Sequence, residues 1–184
     1  MTSRKITTPL TAEVVDSLVM GEEILLSGTI YTARDQAHQR LCALLAKDEA
    51  LPIDLTGTVI YFAGPTPPPP DKPVGSAGPT TSGRMDAFSP KLIASGLSGM
   101  IGKGTRSPEV VEAMRTHGAV YFAATGGAGA LIARCIKTSG CVAYADLGPE
   151  AIYRMGIENL PLVVAIDRNG RNLYLDGPAK YRKG

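Results

Sequence analysis

The sequence predicts an α/β domain built on a mixed sheet with flanking helices, on three observations. Runs rich in Ile, Val, Thr and Tyr, such as "EEILLSGTIYTA" and "GTVIYFAGP", are separated by stretches of helical periodicity. Two segments, "SPKLIASGL" and "SPEVVEAMRTHG", open on Ser then Pro, a pairing that caps a helix and presets its first φ. The last part, "AIYRMGIENLPLVVAIDRNGRNLYLDG", reads as strands separated by turns, a local mixed sheet rather than regular strand-helix repeats. A chain of 184 residues can bury roughly 70% of its extended surface, so one domain is expected.

Taken in order, residues 22–33 ("EEILLSGTIYTA") predict a strand or strand pair around Gly28. "RDQAHQRLCALLAKDEA" then places Ala37, Leu41, Leu44 and Leu45 at helical spacing, which sets Arg34 and Asp35 at a strand-to-helix junction. A second strand covers about residues 58–63. The prolines of "TPPPPDKPVGSAGPTTSGR" lack amide hydrogens and cannot continue a ladder, so this is a long loop, ordered or mobile. One helix is expected to start with Ser89 as cap. Another has Ser107 as cap, Glu109 in its first turn and Gly118 as its stop. Between them, "GMIGKGTR" sets Lys103 between glycines. "AVYFAAT" reads as a short buried strand, "GGAGALIARCIK" as a glycine-led helix and "CVAYAD" as another strand. In the tail, "RNGR" is the hairpin signal.

Composition excludes several classes. Nineteen Lys and Arg against 17 Asp and Glu leave a net charge of +2, and 3 Phe, 7 Tyr and no Trp offer little to stack on bases, so no nucleic-acid footprint is present. Cys42, Cys135 and Cys141 are odd in number and widely spread, without the spacing of a complete zinc or iron-sulfur set. Reduced, mainly buried thiols are expected. "MTSRKITTPLTAEVV" lacks the apolar core of a signal peptide, and no run reaches the length of a membrane span. A cytoplasmic protein without a membrane partner follows as the expectation.

Four stretches carry candidate chemistry. In "TARDQAH", the planar fork of Arg34 can hold a carboxylate through two parallel hydrogen bonds. The alternative is that Arg34 and Asp35 cap or pair locally while His38 lies on the helix surface; a lone helical His is more often a surface or core residue than a proton shuttle. In "GSAGPTTSGR", the glycines allow turns that expose successive amides, Thr80, Thr81 and Ser82 add hydroxyls and Arg84 adds charge. That describes either an anion nest or an ordinary turn with a surface arginine. It does not match GxxxxGK followed by Ser or Thr, which argues against nucleotide hydrolysis. In "GKGTR", Lys103 can aim its ammonium at a second anionic group, or the glycines only make a turn. Three cations in loops at predicted element ends suit a small dicarboxylate. "ATGGAGALIARC" lacks the full dinucleotide fingerprint and reads better as close packing than as a cofactor loop.

In this order, "LSGTIYTARDQAHQR", "GPTTSGRMD", "GKG", "VYFAATGGAGAL" and "LPLVVAIDRNG" resemble the beta subunit, or the equivalent C-terminal domain, of iron-sulfur class I fumarate hydratases and L(+)-tartrate dehydratases. The resemblance implies a swivelling β/β/α catalytic domain at 20–178, with an N-terminal extension at 1–19 and a C-terminal tail at 179–184. It implies a hydro-lyase that reversibly hydrates fumarate to L-malate, or its relatives acting on L(+)-tartrate or mesaconate. It also implies a [4Fe-4S] cluster held by a partner alpha subunit and not by this chain, with activity only in the hetero-oligomer. By the same resemblance Arg34 and Arg84 grip the substrate carboxylates and Lys103 contacts its far side. Thr80 takes the proton from the carbon next to the leaving hydroxyl, with Asp35, Gly78, Thr81 and Gly83 in support. A normal alcohol is a poor base, so the Thr80 role requires a strongly cationic pocket or a relay. The rival from another class is a non-catalytic small-anion or nucleotide-binding module in which "GGAGA" is the main motif.

Overall fold

Strands β2 (Glu23–Thr32), β3 (Val59–Tyr61), β4 (Gly99–Gly102) and β5 (Val120–Ala123) lie side by side and parallel in a computed structural model that describes residues 3–179. The connections between them carry α2 (Asp35–Leu45), α3 (Ser89–Ala94) and α4 (Pro108–His117). β3 and β4 are buried throughout and β5 nearly so, as expected for parallel strands covered on both faces. The 15-residue β7 (Ile152–Ile166) pairs antiparallel with both β5 and β2, and so closes β2, β3, β4, β5 and β7 into a ring. β1 (Arg4–Thr7) adds to β2 in parallel and β6 (Ile136–Ala143) adds to β7 antiparallel. This is the mixed sheet with flanking helices that the sequence predicts, in a β/β/α-type arrangement.

The period of two along each strand sorts side chains into two cores. Val59, Tyr61, Ile101, Val120 and Phe122 cluster with Ile24, Leu26, Ile30 and Met155. Their neighbours Ile60, Phe62, Met100 and Tyr121 cluster instead with Leu41, Leu92, Val110 and Met114 from the covering helices. Residues of the segment read from sequence as an N-terminal extension form β1 and α1 (Ala12–Ser17), and Ile6, Leu10, Val15 and Leu18 join the first core. Of the tail at 179–184, residues 180–184 lie outside the described residues.

Several elements differ from expectation, each for a local reason. "GMIG", read as part of a connection between helices, is β4; four residues with two glycines carry no period, and the strand exists because β3 and β5 flank it. The tail is one continuous strand, passing Asn159 at φ 50° and Pro161, rather than strands separated by turns. The "RNGR" turn is present, with Gly170 at φ 80° and the Asp167 carboxylate accepting from the Asn169 and Arg171 amides. Its return, however, is a single bridge between Ile166 and Asn172, followed by α6 (Leu173–Ala179). Ile136 and Lys137 begin β6 instead of ending α5 (Gly129–Cys135), and the strand starts five residues before "CVAYAD". Ser107 caps α4 through the Val110 amide and Gly118 ends it at φ 77°, as predicted. Ser89 does not cap α3: Phe88 holds that position, and the Ser89 hydroxyl is drawn into a buried network with Arg106. The proline-rich loop is held in place, with the Thr66 and Gly75 amides bonded within 66–76 and the Tyr61 hydroxyl donating to Ala77 O at 2.5 Å. Among the described residues no helix is long and apolar enough to cross a membrane.

Candidate functional site

Four neighbouring parallel strands leave their following loops at one end of the ring, the carboxyl end at which parallel strands gather ligands. Arg34 follows β2, the 79–84 loop lies across the end of β3, and Lys103 follows β4. Arg34 is at the N-cap position of α2 in extended backbone. Its guanidinium packs on Gly64, where a Cβ would lie 3.0 Å from both Arg34 Nη1 and Pro149 O. Arg34 Nη2 stands 3.2 Å from Glu150 Oε1, while Nε is buried with no hydrogen-bond partner among the described residues. Asp35 opens α2 and accepts from Arg84 Nε at 2.9 Å through Oδ1; its Oδ2 is likewise buried and unpartnered. Arg34 and Asp35 therefore do not pair with each other: each binds a group distant in sequence. The Arg84 side chain is half exposed.

Thr80 and Lys103 meet through the backbone. The Thr80 amide donates to Phe62 O at 2.6 Å, the Lys103 amide donates to Thr80 O at 3.4 Å, and the Ser82 amide donates to Lys103 O at 2.9 Å. Both main-chain groups of Thr80 are thus engaged and its hydroxyl is left over. Lys103 is exposed, with its stem beside Gly126, where a Cβ would lie 3.7 Å from Lys103 Cδ. Gly78, Thr81 and Gly83 are exposed along the same loop. A Cβ at Gly129 would approach Gly78 N to 3.0 Å, so the start of α5 uses its glycine for close backbone packing.

Beneath this edge lies a buried support that the sequence reading passed over. Asp86 Oδ1 accepts from Arg106 Nε at 2.7 Å and Asp86 Oδ2 from the Ser107 amide at 2.7 Å. Arg106 Nη2 donates to Ser89 Oγ at 2.6 Å, and its guanidinium lies 5.2 Å from the Phe62 and Tyr121 ring centres. The Tyr121 hydroxyl donates to Gly104 O at 3.0 Å and accepts from Ser82 Oγ at 2.8 Å. Burial pushes this phenol above its ordinary pKa, so it stays neutral. Asp86 and Arg106 end the quoted motifs "GPTTSGRMD" and "GKGTR", but only the fold brings them together.

His38 is fully buried and not on the helix surface. Its Nδ1 lies 2.9 Å from Arg34 O, which can only accept, so Nδ1 carries the proton. Its ring meets Phe62 edge-on with centroids 5.3 Å apart, and Nε2 is buried and unpartnered. Burial pulls its pKa down to about 4, with Arg106 adding to the effect, so the ring is neutral at pH 7.

The expectation of mainly buried thiols holds for Cys42 alone: Cys135 is half-buried and Cys141 exposed, because the helix end and the outer strand that carry them face outward. The three stand on α2, α5 and β6 and do not fit an iron-sulfur cluster. Among the described residues no group of three or more His, Cys, Asp or Glu side chains could hold a metal ion.

The family described as Fumarase C-terminus matches residues 2–177. A Methanocaldococcus jannaschii protein provisionally named L(+)-tartrate dehydratase subunit beta is 39% identical over 175 residues, covering 90% of this chain and 88% of that protein. The anaerobic class I fumarate hydratase of Escherichia coli K12 is 40% identical over 151 residues, covering 81% of this chain but 28% of the enzyme. Fumarate hydratase 2 of Leishmania major is 36% identical over 157 residues, again covering 28% of the enzyme.

Proposed function

The chain belongs to the fumarase C-terminus family, and from that premise we propose that it is the beta subunit of a hydro-lyase that reversibly hydrates fumarate to L-malate. The observation that carries the proposal is the shared edge: Arg34 and Lys103 follow β2 and β4, the loop that holds Thr80 lies across the end of β3, and Arg84 is tied to Asp35 beside Arg34. Arg34 and Arg84 bind the two carboxylates of the substrate. Lys103 contacts its far side, and Asp35 aims Arg84 by holding its Nε. In the dehydration direction Thr80 Oγ1 accepts the proton lost from the carbon beside the departing hydroxyl. To do so it must first release its own proton to solvent, and the positive charge of this edge would lower the cost of that anionic oxygen. Gly78, Thr81 and Gly83 shape the loop that carries Thr80 and Arg84.

The [4Fe-4S] cluster implied by the family is assigned to a separate alpha subunit, since the cysteines here do not fit one. The working enzyme is then a cytoplasmic hetero-oligomer, with residues 20–178 as the catalytic domain of this component. A tartrate dehydratase is the second reading, favoured by the M. jannaschii relative, which the chain matches over most of its length. The test is to purify the chain with its alpha subunit and assay fumarate, L(+)-tartrate and mesaconate. Turnover of fumarate by the pair, with iron required, is the expected result. Full-rate hydration by this chain alone without iron would remove the partner assignment. Anion binding by the pair without turnover of any of the three would return the chain to the class of binding modules.

A further inference from the structure

We propose that Glu150 is a built-in carboxylate that occupies part of the seat on Arg34, so that it sets how strongly a substrate must bind to enter; the inference rests on the dicarboxylate reading above. An arginine offers its side-on fork through Nε and Nη2, two parallel donors matched to the two oxygens of one carboxylate. Here Glu150 Oε1 is 3.2 Å from Nη2, an ion-pair contact outside hydrogen-bond geometry, while Nε is buried and unpartnered, so a carboxylate charge already stands beside the fork without filling it. A substrate carboxylate drawn to this fork meets the Glu150 charge already beside Nη2 and must displace it or bear its repulsion.

Glu150 is the partner free to yield. Arg34 lies against Gly64 on one side, and its own carbonyl is held by the His38 ring and the His38 amide, each at 2.9 Å. The 144–151 segment that carries Glu150 is anchored independently of this ion pair. Arg40 grips Asp146 through two bonds of 2.9 and 2.5 Å, the Tyr153 hydroxyl donates to Gly148 O at 3.1 Å, and Thr32 Oγ1 donates to Ala151 O at 3.4 Å. The segment therefore stays in place when the Glu150 side chain, 25% exposed, swings toward water. Because a ligand must bind the fraction of molecules in which the fork is free, its apparent affinity is reduced by that fraction. A ligand with one carboxylate meets the same competition without a second anchor at Arg84, so the same penalty leaves it bound more weakly than a dicarboxylate.

The experiment uses the assembled alpha-beta complex and succinate, an unreactive four-carbon dicarboxylate, as probe. Glu150→Gln removes the competing charge and is expected to bind succinate about 2- to 5-fold more tightly. Its KM should fall by a similar factor with kcat unchanged, and acetate binding should gain by the same factor. Glu150→Asp, one methylene shorter, should give a smaller gain in the same direction and serves if the Gln variant assembles poorly. Glu158→Gln, an exposed change away from the site, should leave all three quantities as they were. Unchanged or weaker succinate binding in a correctly assembled Glu150→Gln complex would overturn the proposal and make Glu150 a support of Arg34. A wild-type complex that binds no succinate would overturn the dicarboxylate reading, and this inference with it.

Discussion

Arg34 and His38 sit one helical turn apart and Thr80 lies in the loop across the end of β3, yet their environments suit them to different work. Arg34 keeps an unpartnered Nε at the site, and a lysine there would retain the charge but lose the fork. Arg34→Lys and Arg84→Lys should each cost about 1.5–3 kcal/mol of transition-state stabilisation, roughly 10- to 150-fold in kcat/KM of the assembled enzyme. Thr80→Val keeps the bulk and removes only the hydroxyl. With Thr80 as proton carrier, single-turnover rate should fall by about 100-fold or more while succinate affinity holds; equal losses in both would move Thr80 into the carboxylate-binding set. His38 contributes to stability instead. Folded, it stays neutral down to about pH 4, whereas the unfolded chain protonates it near the ordinary value of 6.5. Between those values the unfolded state binds the extra proton, so stability is complete above 6.5 and falls as pH is lowered toward 4, by roughly 1.4 kcal/mol per unit. Denaturant unfolding at pH 7, 5.5 and 4.5 measures the slope. His38→Asn, which keeps a donor for Arg34 O but does not titrate, should flatten it.

At the level of elements, the two loops that form the site edge are fastened from below by one buried ion pair. Asp86→Ala would leave the Arg106 guanidinium buried without its carboxylate and should cost about 3–5 kcal/mol, read as a lowered denaturation midpoint. Which elements could be read from sequence follows from how local their causes are. Ser107 and Gly118 announced α4 because a cap and a left-handed stop need nothing beyond a few neighbours. β4 was hidden because its cause is the pair of strands on either side, and so was the support around Arg106, whose carboxylate partner lies 20 residues away. Site positions followed the same division. Arg34 and Lys103 could be singled out because each stands at an element end, while Glu150 carries no local sign that it reaches Arg34.

Across the whole molecule, alternation of strand and helix gave away the class of fold, but closure of the ring depends on β7 pairing with both β2 and β5, a register between distant segments that no local window contains. That closure bears on covalent economy. A sheet that closes on itself completes its own core, so this unit does not need a peptide link to the rest of an enzyme in order to fold. Such a unit can stand as a separate chain, as in the M. jannaschii relative matched over 88% of its length, or within a chain of which it spans 28%. On the two-subunit reading proposed above, the two arrangements differ in what keeps the site complete. A tether holds the second half at an effective concentration of the order of millimolar, whereas separate chains must meet by affinity alone. Specific activity of the reconstituted pair should therefore fall as both chains are diluted together through their dissociation constant, and joining them by a flexible linker should abolish the fall. Activity of the unlinked pair that stays constant down to picomolar concentration would show instead that the subunit interface holds as firmly as a covalent bond.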